Sequence, residues 1–153
     1  MPKKVKKIAK KADKKLSTKT VKKAVEVISV VGRRKKAIAR LRLFKGKGKI
    51  VVNGKPIEKY FIGRNAEFIY LKPLKVTETV NKYDATIKVS GSGLSAQMGA
   101  VVHALARALD RADNQFHLIL KKHKLLTRDS RSKERSKPGQ MGRARKKKQS
   151  PKR

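Results

Sequence analysis

A chain of 153 residues with 44 Lys plus Arg against 10 Asp plus Glu carries a formal charge of +34 and a pI near 11.1, and its length suits one domain. It has no cysteine, which excludes disulfides, thiolate zinc sites and cysteine nucleophiles. No apolar run approaches the roughly 18 residues of a membrane span, and no signal-peptide core follows the N-terminal lysines, so the sequence predicts a soluble, cytoplasmic protein with no membrane partner.

The charge is unevenly placed. Residues 1–23 hold 11 basic side chains and 1 acidic, residues 128–153 hold 12 and 2, and the 104 residues between hold 21 and 7. Three parts follow: a lysine-rich N-terminal extension expected to be disordered alone (1–23), a globular domain (24–127) and an extended basic C-terminal tail (128–153). Beyond Leu126 the one large apolar side chain is Met141, so no periodic face offsets the entropy of ordering the tail. Arms of this kind suit a polyanion. They lack the Trp, Phe and Leu that bury in a lipid interface, which makes nucleic acid the expected partner. A mitochondrial transit peptide is the rival reading of the first arm, but such peptides are rich in arginine and this arm has none.

Within the domain, the β-branched run Val25, Val27, Ile28, Val30 and Val31 predicts a buried strand ending at Gly32. After Gly32-Arg33-Arg34-Lys35-Lys36, the residues Ala37, Ala39, Leu41 and Leu43 alternate with Ile38, Arg40, Arg42 and Phe44. That is a strand with one apolar face and one basic face. Lys45-Gly46-Lys47-Gly48 predicts a turn, Lys49–Val52 a third strand, and Asn53-Gly54 a tight hairpin turn, giving three antiparallel strands. Pro56–Phe61 predicts a short helix, and Asn65–Leu71 a second that Pro73 stops. Leu74–Val80 fits helix or strand equally. Tyr83, Ala85, Ile87 and Val89 alternate with polar residues as a half-buried strand, broken by Gly91-Ser92-Gly93. Ser95–Asp110 is a helix with Ser95 as its N-cap and Ala100, Val101, Ala104, Leu105, Ala108 and Leu109 on one face. A last helix runs from Asn114 through Lys122 on Phe116, Ile119 and Leu120, and Leu125-Leu126 close the core. The class is α+β, a small sheet of about four strands packed with helices.

Chemistry-bearing motifs are few. Gly91-Ser-Gly-Leu-Ser-Ala96 matches the dinucleotide fingerprint, with Asp110 about 20 residues on. The fingerprint belongs to a first βαβ unit with its acid after the next strand, whereas Asp110 ends the same helix. A turn glycine pair is the plainer reading. His103, His117 and His123 have no metal-ligand spacing, and no GxSxG elbow presents a serine. The sequence therefore predicts no enzyme, no catalytic residue, no cofactor, no metal and no small-molecule substrate. The basic cluster Arg33, Arg34, Lys35 and Lys36, continued by Arg40 and Arg42 on one strand face, fits phosphate oxygens, for which arginine supplies a planar fork. With aromatics at 5% of the chain, backbone and shape recognition of a folded RNA fits better than base stacking.

Three blocks carry a resemblance. They are Gly32-Arg-Arg-Lys-Lys-Ala-Ile-Ala-Arg40 with the turns at Gly46, Gly48 and Val52-Asn-Gly54; Gly93-Leu-Ser-Ala-Gln97 with Gly99, Ala100, His103 and Ala106-Arg-Ala-Leu109; and Thr127-Arg-Asp129 with Arg131 and Glu134-Arg135. Over nearly all of 25–153 the chain resembles the bacterial type of the small-subunit ribosomal protein family numbered nine. The resemblance implies a domain like the second domain of ribosomal protein S-five, set on ribosomal RNA among neighbouring proteins of the small-subunit head. By the same resemblance the C-terminal tail reaches the anticodon stem-loop of the peptidyl-site transfer RNA, with Lys152, Arg153 and Ser150 as its contacts. The sequence departs from the family at the tip, where Pro151 is interposed and Gln149 stands in place of an aromatic residue. It departs again across 137–142, and the arm 1–23 lies outside the resemblance. The ribosomal RNA contacts expected are Arg33, Arg34, Lys35, Lys36, Arg40, Arg42, Arg128, Arg131, Arg135, Arg143, Arg145, Lys146 and Lys147. A free nucleic-acid compaction protein is the alternative.

Overall fold

The computed structural model describes residues 27–146. The arm 1–23, Val25 and the tail residues 147–153, with Lys147, Ser150, Pro151, Lys152 and Arg153, lie outside the described residues. Strand β1 (Ile28–Arg34) runs through Gly32 rather than ending there, and β2 (Ala37–Lys45) returns antiparallel to it. Gly32 marks a close approach. A Cβ at this position would sit 2.2 Å from the Ala100 carbonyl oxygen and 2.5 Å from the Ala104 amide nitrogen, so glycine here lets a helix backbone lie directly on the strand.

Strands β3 (Ile50–Val52), β4 (Lys55–Pro56) and β5 (Tyr83–Ser90) complete a five-stranded sheet in the order β1-β2-β5-β3-β4. The sequence predicts β3 beside β2, yet β5 lies between them, antiparallel to β2 and parallel to β3. Two side chains account for the difference. The Asp84 carboxylate accepts from the backbone amides of Lys47 (2.9 Å) and Lys49 (2.7 Å), fastening the β2–β3 loop to the start of β5. At the far end the Asn53 side chain accepts from the Val89 amide (2.9 Å) and donates to the Val89 carbonyl (3.0 Å), continuing the β3–β5 pairing by one side-chain rung. Asn53 and Gly54 both have positive φ, 49° and 80°, as the tight turn requires.

A parallel pair needs a long crossover. Here it is β4, then α1 (Ile57–Tyr60) and α2 (Ala66–Val76). Pro73 does not stop α2 but lies inside it, buried with Ala66, Tyr70 and Leu74. The burial of those side chains outweighs the one missing N–H. The ambiguous 74–80 stretch is helical to Val76 and then turns, with the buried Thr77 and Thr79 hydroxyls 2.7 Å apart.

Helix α3 (Leu94–Ala112) starts one residue before the expected cap, with Gly93 at the N-cap and no side-chain bond there, so Ser95 is not a cap. Its face of Ala100, Val101, Ala104, Leu105, Ala108 and Leu109 is fully buried, as the periodicity predicts. Beyond it, α4 (Phe116–Lys122) buries Leu120, whereas Ile119, expected in the core, faces outward and Phe116, Leu125 and Leu126 pack at the core's rim. The helices take one face of the sheet. Among the described residues the other is left open.

Candidate nucleic-acid interface

On the open face, alternation leaves Arg40 and Arg42 exposed on β2 and Lys88 exposed on β5. Register sets Arg40 directly opposite Lys88, with Arg42 opposite Thr86. Like charges directly across an antiparallel pair destabilise a sheet. The arrangement suits an external anion.

The rim of this face comes from α3. Arg107 donates through Nη1 to the Val31 carbonyl, Arg111 through Nη1 to the Ser29 carbonyl at 3.1 Å, and the Arg33 amide donates to His103 Nδ1 at 3.3 Å. Residues 103, 107 and 111 climb the helix four at a time, about 6 Å per step. Residues 33, 31 and 29 descend the strand two at a time, about 6.6–6.8 Å per step. The two rises nearly match, so one helical ridge closes three successive positions along the free edge of the sheet, an edge that would otherwise invite pairing. His103 is thus an edge residue, uncharged at Nδ1 where it accepts the amide. Burial pushes its pKa down, the charge of Arg107 adds to this, and the Leu126 carbonyl pulls the other way.

Arg107 and Arg111, with Arg40, Arg42 and Lys88, bound a groove of 540 Å³ floored by Val31, Leu41 and Thr86. Among the described residues no carboxylate lines it. Arg107, Arg111 and Lys88 are absent from the residues expected from sequence. For the two arginines the helical spacing 103/107/111 was the signal, legible only once the partner strand is known, and for Lys88 it was the alternation of its strand.

The other expected residues divide. Arg33 is exposed on the open face, and Lys35 and Lys36 are exposed at the β1–β2 hairpin, where Lys35 has φ 51° and a Cβ on Gly91 would meet the Lys36 carbonyl at 2.4 Å. Gly91 thus serves the hairpin. Asp110 is bonded to His117 Nδ1 at 2.8 Å, and β5 leads through α3 to α4 rather than to another strand; neither part of the dinucleotide fingerprint has its required setting. Arg34 turns the other way, crossing Gly99 to reach Asp129 at 3.5 Å. Arg131 grips the same carboxylate with Nε (3.0 Å) and Nη2 (2.9 Å), and those bonds, ahead of its charge, hold the Asp129 carboxyl far below the usual range. Further along, Arg145 holds Glu134 through Nε (3.0 Å) and Nη2 (2.6 Å), closing a loop in which the Lys137 amide donates to the Arg143 carbonyl. Arg128, Arg135, Arg143 and Lys146 are exposed.

Among the described residues three ion pairs form, joining Arg34 and Arg131 to Asp129 and Arg145 to Glu134, and a hydrogen bond joins His117 to Asp110. Both carboxylates of the tail are therefore committed to arginines of the chain itself. No three His, Cys, Asp or Glu residues gather as a metal site, and no helix is long and apolar enough to cross a membrane, among the described residues.

A family model described as ribosomal protein S9/S16 matches residues 32–153. The chain belongs to that family. Among bacterial relatives, small ribosomal subunit protein uS9 of Dehalococcoides mccartyi strain 195 is 50% identical over 116 residues, covering 76% of this chain and 87% of the relative. The uS9 protein of Rickettsia africae is 51% identical over 122 residues, covering 80% and 76%. That of Rickettsia canadensis is 46% identical over 143 residues, covering 92% of this chain and 88% of its own, a span too long to avoid part of the lysine-rich arm. The family is a structural, non-enzymatic class of ribosomal protein.

Proposed function

We propose that the chain is a structural constituent of the small ribosomal subunit, held on ribosomal RNA in the subunit head among neighbouring ribosomal proteins, in the cytoplasm. The open sheet face, the Lys35-Lys36 hairpin and the tail form the RNA-binding surface. Lys152 and Arg153, with Ser150, contact the anticodon stem-loop of the peptidyl-site transfer RNA. The observation that carries this reading is the charge left over: the sequence sets 44 Lys plus Arg against 10 Asp plus Glu, and among the described residues three arginines, Arg34, Arg131 and Arg145, pair with a carboxylate. Phosphates supply the missing charge, and counterions released from the RNA offset the entropy lost by an ordering tail. A guanidinium at the tip grips phosphates of any transfer RNA without reading bases, which a site passed by every elongator transfer RNA requires.

The test is removal of Lys152 and Arg153 from the full chain, followed by assembly into small subunits and titration with transfer RNA across a salt series. Normal assembly with weaker transfer RNA binding and a salt slope shallower by about 1–2 is the expected result. Unchanged transfer RNA binding would restrict the tail to ribosomal RNA.

A further inference from the structure

The edge ladder does more than seal β1. Each of its two arginines spends one Nη1 on a backbone carbonyl, and a guanidinium has five N–H donors in a fixed fork. The rest of each fork is left over the groove mouth, at a position fixed by backbone rather than by a mobile side-chain partner. Across the groove stand Arg40 and Lys88, opposed in register, with Arg42 beside them. Five cations thus surround one concave surface that, among the described residues, has no carboxylate in its lining and no aromatic ring on its floor. The absence of rings removes base stacking, the usual grip on single strands, while cations on both walls suit a backbone lying along the groove.

We propose that this groove is a phosphodiester-binding site for the backbone of an RNA duplex, with Arg107 and Arg111 as its fixed rim and Arg40 and Lys88 as the pair whose repulsion the phosphate relieves. The proposal rests on the ribosomal RNA reading above and names the surface and the form of RNA it takes. It has a signature that a stabilising surface residue lacks. Because Arg40 and Lys88 repel in the free protein, Lys88→Gln makes the free protein more stable while making it bind RNA less well. A stability cost kept at a binding surface is the trade-off expected of a functional site.

The experiment uses the full chain, its Lys88→Gln and Arg40→Gln variants, and a Lys121→Gln/Lys122→Gln control that removes exposed charge from α4, away from the groove. Thermal unfolding of each is followed alone, and binding to a short blunt RNA duplex and to protein-free small-subunit ribosomal RNA is measured across a salt series. For either groove variant the expected result is an unfolding midpoint raised by about 1–4 °C and a duplex salt slope shallower by about 1. The control matches wild type in midpoint and loses less of the slope. Groove variants that bind duplex like wild type, or lose no more than the control, overturn the proposal, as does a midpoint that falls. Arg111→Lys separates charge from geometry: it keeps the cation, loses the planar fork, and is expected to bind duplex less tightly than wild type. If wild type holds the duplex through the groove yet fails to enter small subunits, the ribosomal reading fails and the groove stands. Normal assembly with groove variants indistinguishable from the control removes the groove alone.

Discussion

Gly32 and His103 show how single residues set the site. At Gly32 the neighbours of an added Cβ are helix backbone atoms at 2.2 and 2.5 Å, which cannot rotate away. Gly32→Ala is therefore expected to destabilise the fold by about 3 kcal/mol, measurable by urea denaturation. Gly99→Ala meets the flexible Arg34 side chain instead, 2.3 Å from its Cδ, and is expected to displace Arg34 from Asp129 at much smaller cost. For His103 the sign follows from its lowered pKa. The folded protein binds fewer protons there than the unfolded chain, so its stability contribution is complete above the unperturbed histidine value of about 6.5 and declines as pH falls below it. The groups facing the ring are the Arg33 amide, the Leu126 carbonyl, Arg107 and Arg128. Unfolding midpoints between pH 8 and 5 should drop more for wild type than for His103→Gln; equal slopes would remove the histidine from the account. These roles were not legible in the sequence, because Gly32 looks like any strand-ending glycine until α3 lies across it.

Elements whose signal is local read directly from the sequence. The alternation in 37–44 and 83–90 gives β2 and β5 with their buried faces, and the alanine-rich stripe gives α3. Elements decided at a distance do not. Nothing local in Lys49–Val52 says that it pairs with β5; that depends on Asp84 and Asn53, each more than thirty residues from the backbone it binds. Nor does propensity allow for Pro73 inside α2, where burial decides. Asn53→Ala removes both bonds to Val89 and puts a residue less tolerant of positive φ at 49°, at an expected cost of about 2–3 kcal/mol. Loss of amide-exchange protection should centre on the β3–β5 pair rather than on β1–β2. In the tail, the Asp129–Arg131 and Glu134–Arg145 clasps depend on ionised carboxylates held below their ordinary range by their arginines. They are complete above the unperturbed carboxylate values of about 4 and open as pH falls further. Carbon-13 shifts of the two carboxyls against pH would follow them.

At the scale of the molecule, a charge of +34 on 153 residues opposes compaction, and the ribosomal RNA of the proposed function would offset it. The candidate site was half visible in the sequence. The strand-face arginines Arg40 and Arg42 stand out by alternation, while their rim, Arg107 and Arg111, belongs to a helix some 65 residues later and joins them only through the packing of α3 on β1. The proposed recognition of an RNA backbone needs few aromatic side chains, in keeping with their 5% share of the sequence. The most direct measurement is binding of the full chain to protein-free small-subunit ribosomal RNA and, in parallel, to duplex DNA of equal phosphate count, as salt is raised. A protein fitted to a folded RNA holds the ribosomal RNA at salt concentrations where the DNA has been released. Release of both at the same salt would contradict the account and leave a general nucleic-acid compaction protein.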